Sequence, residues 1–269
     1  MSMRSYTSYT EEKRVDLASR GIYFARGGSV EVLTLPVITN PLANDWQEED
    51  GLEIDPNGFV RTCPYINLRF IVAGQTKEEL ETSLDTLKHM LSFGWAEIVP
   101  AEMHAYHIKN ISFEGYKQLD SPLYLKGLKC GEVTIRCQLG EREPNALSTE
   151  YTPPSVPLSR IIIGDTDLAH YGIQVKSAYD SLLQPADFKA QTLREAPREL
   201  SIECLSIGDT YQQVEHHLYL LWCAIAKKQL YLTHGAGKVR CYYTSMTDLS
   251  ELSLSNKKGI AFTLNFKTT

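Results

Sequence analysis

The sequence predicts an α+β chain built from two tandem copies of one mostly β domain, each copy carrying a single amphipathic helix. Three observations predict it. The stretch beginning at Ile66, INLRFIVAGQTKEELETSLDTLKHMLSF, matches the stretch beginning at Leu200, LSIECLSIGDTYQQVEHHLYLLWCAIAK, at a constant offset of 134 positions. Both read as a period-two strand, then a glycine, then a helix with an apolar stripe. Between the copies lies EREPNALSTEYTPPSVPLS, from Glu141, whose four prolines favour extended backbone over helix. The domains therefore fall at 11–141 and 159–269, joined by a proline-rich linker at 142–158.

The elements follow in order. Upstream of each match, VDLASRGI from Val15 resembles TDLAHYGI from Thr166. Ile66, Leu68, Phe70 and Val72 then alternate with other residues, which is the signature of a strand with one buried face. Leu200, Ile202 and Cys204 keep that phase, and Gly74 and Gly208 end the strands. Thr76 with Glu79, and Thr210 with Gln213, are spaced as capping boxes. Leu80, Leu84, Leu87 and Leu91 form a stripe that Val214, Leu218, Leu221 and Ile225 repeat without a shift. After the helix, WAEIV from Trp95 answers QLYLT from Gln229. YHIKNISFEGYKQL from Tyr106 answers VRCYYTSMTDLSEL from Val239, and the closing strands are GEVTIRCQL and GIAFTLNF.

The stretch THGAGKVRC, from Thr233, resembles the end of a phosphate-binding loop. Such a loop needs Ser or Thr after the lysine and a helix N-terminus to receive the phosphate. Lys238 is followed by Val239 and a strand-like run, and the equivalent PAEMHA of the first copy has no glycine. The stretch 233–241 is therefore predicted to be a hairpin, with 99–106 as its counterpart.

Other candidates give no chemical site. His104 and His107, with Glu102 nearby, straddle the hairpin tip, and no third metal ligand is fixed by spacing. His216 and His217 are neighbours on a helix and cannot face one ligand together, so they are expected on its edge and polar face. The acidic run WQEEDGLEID, 46–55, reads as a solvated loop or a contact surface for a neighbouring subunit. The six cysteines form no CxxC pair and read as buried free thiols. No GxSxG elbow or HExxH helix occurs. No catalytic, cofactor-binding or metal residue is assigned.

Composition narrows the class. The net charge of −6 argues against general nucleic-acid binding, which depends on Lys and Arg neutralising phosphates. No apolar run is long enough to span a bilayer, and the N-terminus is polar, so synthesis and retention in the cytosol are expected.

The second half, from YGIQV at Tyr171 through RELSIE and CYYTSM to GIAFTLNF, resembles the N-terminal domain of phage distal tail proteins, and the first copy resembles it more loosely. The resemblance implies a β-sandwich or split-barrel tail-tube fold with one flanking helix. It also implies a structural, non-enzymatic subunit that self-associates into a ring at the distal end of the tail tube. Its partners would be other tail proteins (tube, hub, baseplate), with DNA only as passing cargo, no membrane and no cofactor, and its final location the virion tail. Distal tail proteins commonly follow this domain with a different module, whereas two tandem copies resemble tail hub proteins, so trimer and hexamer both stand. Two rival readings are a monomeric protein with a ligand or partner in its interdomain cleft, and a hydrolase with a convergent site.

Overall fold

The computed structural model describes residues 2–6, 12–39, 43–44, 53–54, 59–100, 103–119, 127–140, 161–164, 166–180, 198–226, 230–234 and 237–268. The described chain is mostly antiparallel β-sheet with two α-helices, an α+β fold. It divides into two compact units. The first comprises Met1–Leu33 and Cys63–Glu143, and the second Thr34–Thr62 and Pro144–Thr269.

In chain order the elements of the first half are β1 (Ser2–Tyr6), β2 (Glu12–Asp16), β3 (Ile22–Phe24), β4 (Val37–Thr39), β5 (Ala43–Asn44), β6 (Glu53–Ile54), β7 (Val60–Thr62), β8 (Tyr65–Gly74), α1 (Lys77–Leu91), β9 (Trp95–Val99), β10 (Tyr106–Leu119) and β11 (Lys129–Leu139). Those of the second half are β12 (Ile161–Ile163), β13 (Thr166–Asp167), β14 (Ile173–Asp180), β15 (Glu199–Gly208), α2 (Tyr211–Ile225), β16 (Leu230–His234), β17 (Gly237–Glu251) and β18 (Lys258–Thr268).

The first unit's seven-stranded sheet runs β2-β1-β9-β10-β11-β8-β3, and the second unit's runs β13-β12-β16-β17-β18-β15-β14. The registers correspond residue by residue. Leu68 faces Ile135 as Ile202 faces Leu264, and Gly74 faces Lys129 as Gly208 faces Lys258. Ile98 faces Tyr106 as Leu232 faces Val239. A one-residue slip would turn every apolar side chain to the wrong face, so this agreement fixes the same core in both sheets.

Both helices start as their capping residues dictate. Thr76 Oγ1 accepts from the Glu79 N–H at 3.2 Å, and Glu79 Oε2 accepts from the Gln75 N–H at 2.7 Å. Thr210 and Gln213 do the same, with Gln213 Oε1 accepting from the Asp209 N–H at 2.6 Å. The α2 stripe of Val214, Leu218, Leu221 and Ile225 is buried throughout, whereas in α1 Leu80, Leu87 and Leu91 are buried with Met90 and Leu84 is half-buried. Ahead of β3 and β14, the two DLA…GI segments form matching 3-10 turns closed by Gly21 at φ 67° and Gly172 at φ 71°. Glycine is required at both. A Cβ at Gly21 would lie 2.3 Å from the Ala73 carbonyl oxygen, and one at Gly172 would lie 2.5 Å from the His217 ring.

The sequence boundaries place residues 34–62 inside 11–141, whereas the compact units assign Thr34–Thr62 to the second. The reason lies in the side chains. β4 pairs with β7, and β4 lies against β17. The Phe59 ring meets Tyr242 edge-on at 5.6 Å. Arg61 donates to the Ala226 carbonyl at 3.1 Å and sets its guanidinium over Trp222, 5.7 Å from the ring centroid. Ala226 caps the C-terminus of α2, where orphan carbonyls favour a cation. This ribbon of β4 and β7 is a strap on the second unit.

Candidate functional site

The features most suited to an interaction are the open edges of β10 and β17. Each is longer than the strand paired on its outer side. β9 pairs only Tyr106 to Lys109 of β10, and β16 pairs only Gly237 to Cys241 of β17. Beyond those points one edge of each strand has no strand partner among the described residues. Both strands carry bulges against their inner neighbours, with Asn110 at φ 52° and Asp248 at φ 55°. Bulges twist an edge and break its ladder, one of the ways in which proteins limit indiscriminate pairing.

The two edges differ in what covers them. On β17, Tyr242 and Tyr243 are buried, with Tyr243 edge-on to both Trp222 and Phe266 at 5.9 Å. The strap covers this corner from both faces of the sheet, Phe59 on Tyr242 and Arg61 on Trp222. On β10, Phe113 and Tyr116 are each 42% exposed, and Trp95 beside Lys109 is 43% exposed. Lys88 reaches from α1 to lie 5.5 Å from the Phe113 ring centroid.

The hairpin expected at 233–241 is formed by β16 and β17 with His234 facing Gly237, and its turn at 235–236 lies outside the described residues. Lys238 lies over the Tyr231 ring at 4.6 Å, so it is engaged with an aromatic face on the sheet. The counterpart hairpin joins β9 to β10. There His104 and His107 are exposed, and His107 Nε2 lies 4.0 Å from Glu97, while Glu102 lies outside the described residues. Among the described residues, no three His, Cys, Asp or Glu side chains converge as metal ligands. Of the acidic run 46–55 only Glu53–Ile54 is described, as the short strand β6 paired with β5.

No family model matches the chain, and no curated protein or solved structure matches it.

His216 and His217 are both buried, at 8% and 4% exposure, which differs from the expected place on the polar face of α2. His217 Nδ1 lies 3.0 Å from Ser206 Oγ, and burial, aided by the neighbouring His216, pushes its pKa down to about 4. Sequence reasoning missed this pair because adjacent helix positions diverge by about 100°, so one of the two was expected to face solvent. All six cysteines are free; Cys130, Cys137, Cys204 and Cys241 are buried, Cys63 half-buried and Cys223 exposed. Burial pushes the thiols of Cys137, Cys204 and Cys241 up to about 12, the reverse of what a thiolate nucleophile needs. An open groove of about 480 Å³ in the first unit runs between the 3-10 turn and the first turns of α1. Its lining includes Arg20, Gln75, Glu79 and Thr82, without an enclosed apolar wall. No helix of the described residues is long and apolar enough to cross a membrane.

Proposed function

We propose that this chain is a structural, non-enzymatic subunit of a phage or prophage tail, with two tandem tail-tube-like β-sandwich domains that assemble into a trimeric or hexameric ring at the distal end of the tube. The observation that carries the reading is the strap. Two domains of the same strand order and register occur in one chain, and a connection from the first repeat is built into the second. A ring of such domains repeats one side-by-side relation until it closes, and each neighbour satisfies an edge that would otherwise template aggregation. The resemblance of 171–266 to distal tail proteins supports the same reading, and a net charge of −6 suits a channel past which DNA slides without sticking. Its partners are other copies of itself and the adjoining tube, hub and baseplate proteins.

The test is the solution mass of the purified chain by light scattering over a range of concentrations, with negative-stain images of the eluted species. A trimer or hexamer with a central hole is expected. A compact monomer at every concentration contradicts the ring and turns attention to a two-domain binding protein.

A further inference from the structure

We propose that His217 is an acid-sensitive latch in the second unit: its neutral imidazole holds the 3-10 turn of residues 168–171 and the start of β14 against α2, and protonation releases them. The latch acts within one copy and does not depend on assembly. Its geometry is an imidazole held between three elements. A Cβ at Gly172 would lie 2.5 Å from Cγ and Cδ2 of His217 and 2.6 Å from Nδ1, so the imidazole lies with its face along the Gly172 backbone. Its Nδ1 edge meets Ser206 Oγ of β15 at 3.0 Å. The turn closes on Gly172 and leads directly into β14, the edge strand of its sheet, whose pairing with β15 slips in register between Val175 and Ser177. An edge strand with an interrupted ladder belongs to the part of a sheet that opens at least cost.

α2 packs against β15, β18 and the turn. On the core side of β15 the titratable group is Cys204, whose thiol burial pushes up to about 12, so it stays neutral; Ile260, Phe262, Leu264 and Phe266 of β18 are apolar and buried. In the turn Asp167 accepts from the Ala169 N–H, His170 is exposed and Tyr171 is half-buried. On α2 itself Glu215 stands two positions away, on another side of the helix, and His216 is adjacent. At the helix start Glu251 and Lys258 both engage Tyr211. Burial and the His216 imidazole both oppose a positive charge on His217, so a protonated imidazole gains by reaching water, and release of the turn gives it that access.

The first unit has the same notch without the titrating group. Thr82 and Ser83 stand at the positions of His216 and His217, and Gly21 stands at that of Gly172. Ser83 Oγ donates to the Ala73 carbonyl at 3.3 Å, the atom that a Cβ at Gly21 would strike, and Thr82 and Ser83 both line the open groove. A serine hydroxyl does not titrate in mild acid, so the first unit stays closed across the range that opens the second.

The experiment is hydrogen exchange read by mass spectrometry at pH 7.5 and 4.5, corrected for the intrinsic pH dependence of exchange, for the native chain and His217→Gln. Residues 168–180 report the latch, and residues 18–24 are the internal control. With His217 at about 4 when latched and 6.5 when released, the released population of the native chain should rise about fiftyfold between the two pH values, while residues 18–24 do not change. His217→Gln should abolish most of that rise. Unchanged protection of residues 168–180 in the native chain overturns the latch. A rise of the same size at residues 18–24, or throughout the second unit, also overturns it, because acid then loosens the fold as a whole. A rise that survives in His217→Gln belongs to another group and overturns it too. The comparison of the two units within the native chain decides the matter even where the variant fails to fold.

Discussion

At the scale of single residues, His217 shows how burial sets a pH response. Its ordinary value of 6.5 is lowered to about 4 in the fold. Above pH 6.5 the ring is neutral in both folded and unfolded chains and has no effect on stability. As the pH falls from 6.5 to 4, only the unfolded chain takes up the proton, so stability is lost across that window, by about 3 kcal/mol in full. Urea midpoints measured at pH 7.5 and 4.5 should differ for the native chain, and by less for His217→Gln. Gly172 belongs to the same neighbourhood. With φ at 71° and the His217 ring in the place of a Cβ, Gly172→Ala is expected to cost about 1–3 kcal/mol, read from the same denaturation curves.

At the scale of elements, the two helix starts and the strap can be compared. Thr76→Ala and Thr210→Ala each remove one capping acceptor, and each should cost about 1 kcal/mol. The caps belong to different units and share no partner, so the double variant should show the sum. Equal costs in the two units would be a thermodynamic expression of the repeat. Arg61→Ala removes a charged donor from the α2 terminus and a cation from the Trp222 face, and is expected to lower the unfolding free energy read from urea curves by about 1–2 kcal/mol.

The repeat made much of this legible in the sequence. One offset, read from Gly74 and Gly208, gives the strand, glycine, capping box and helix of both halves, because period and capping chemistry are local. The 3-10 turns were visible only as the shared letters DLA and GI. The strap was not legible. β4 and β7 are three residues each, too short to show a period, and nothing local reveals that Phe59 and Arg61 find their partners more than 160 positions away. The open edge of β10 was hidden for a related reason. Phe113 and Tyr116 stand three positions apart, out of phase for one strand face, and only the bulge between Phe113 and Gly115 sets both on the face of Ile135 and Val133.

At the scale of the whole molecule, the chain passes between its two units three times, at residues 33–34, 62–63 and 143–144. The second unit is therefore incomplete without residues from the first repeat. A fragment beginning at residue 144 lacks the strap and should leave Trp222 and Tyr242 uncovered. It is expected to bind an environment-sensitive dye and to unfold at lower denaturant than the same unit within the full chain. Adding a peptide of residues 34–62 should reverse part of that loss.

The strap also changes what the proline-rich linker can do. Residues 142–158 look like the natural place to cut the protein in two, and a protease would find no predicted helix or sheet there. Yet a single nick in the linker leaves residues 34–62 folded into the far half. The two pieces should migrate as one in a native column and separate only in denaturant. That outcome would make the peptide bonds of residues 142–158 dispensable once folding is complete, with the strap holding its own part of the chain in the second unit.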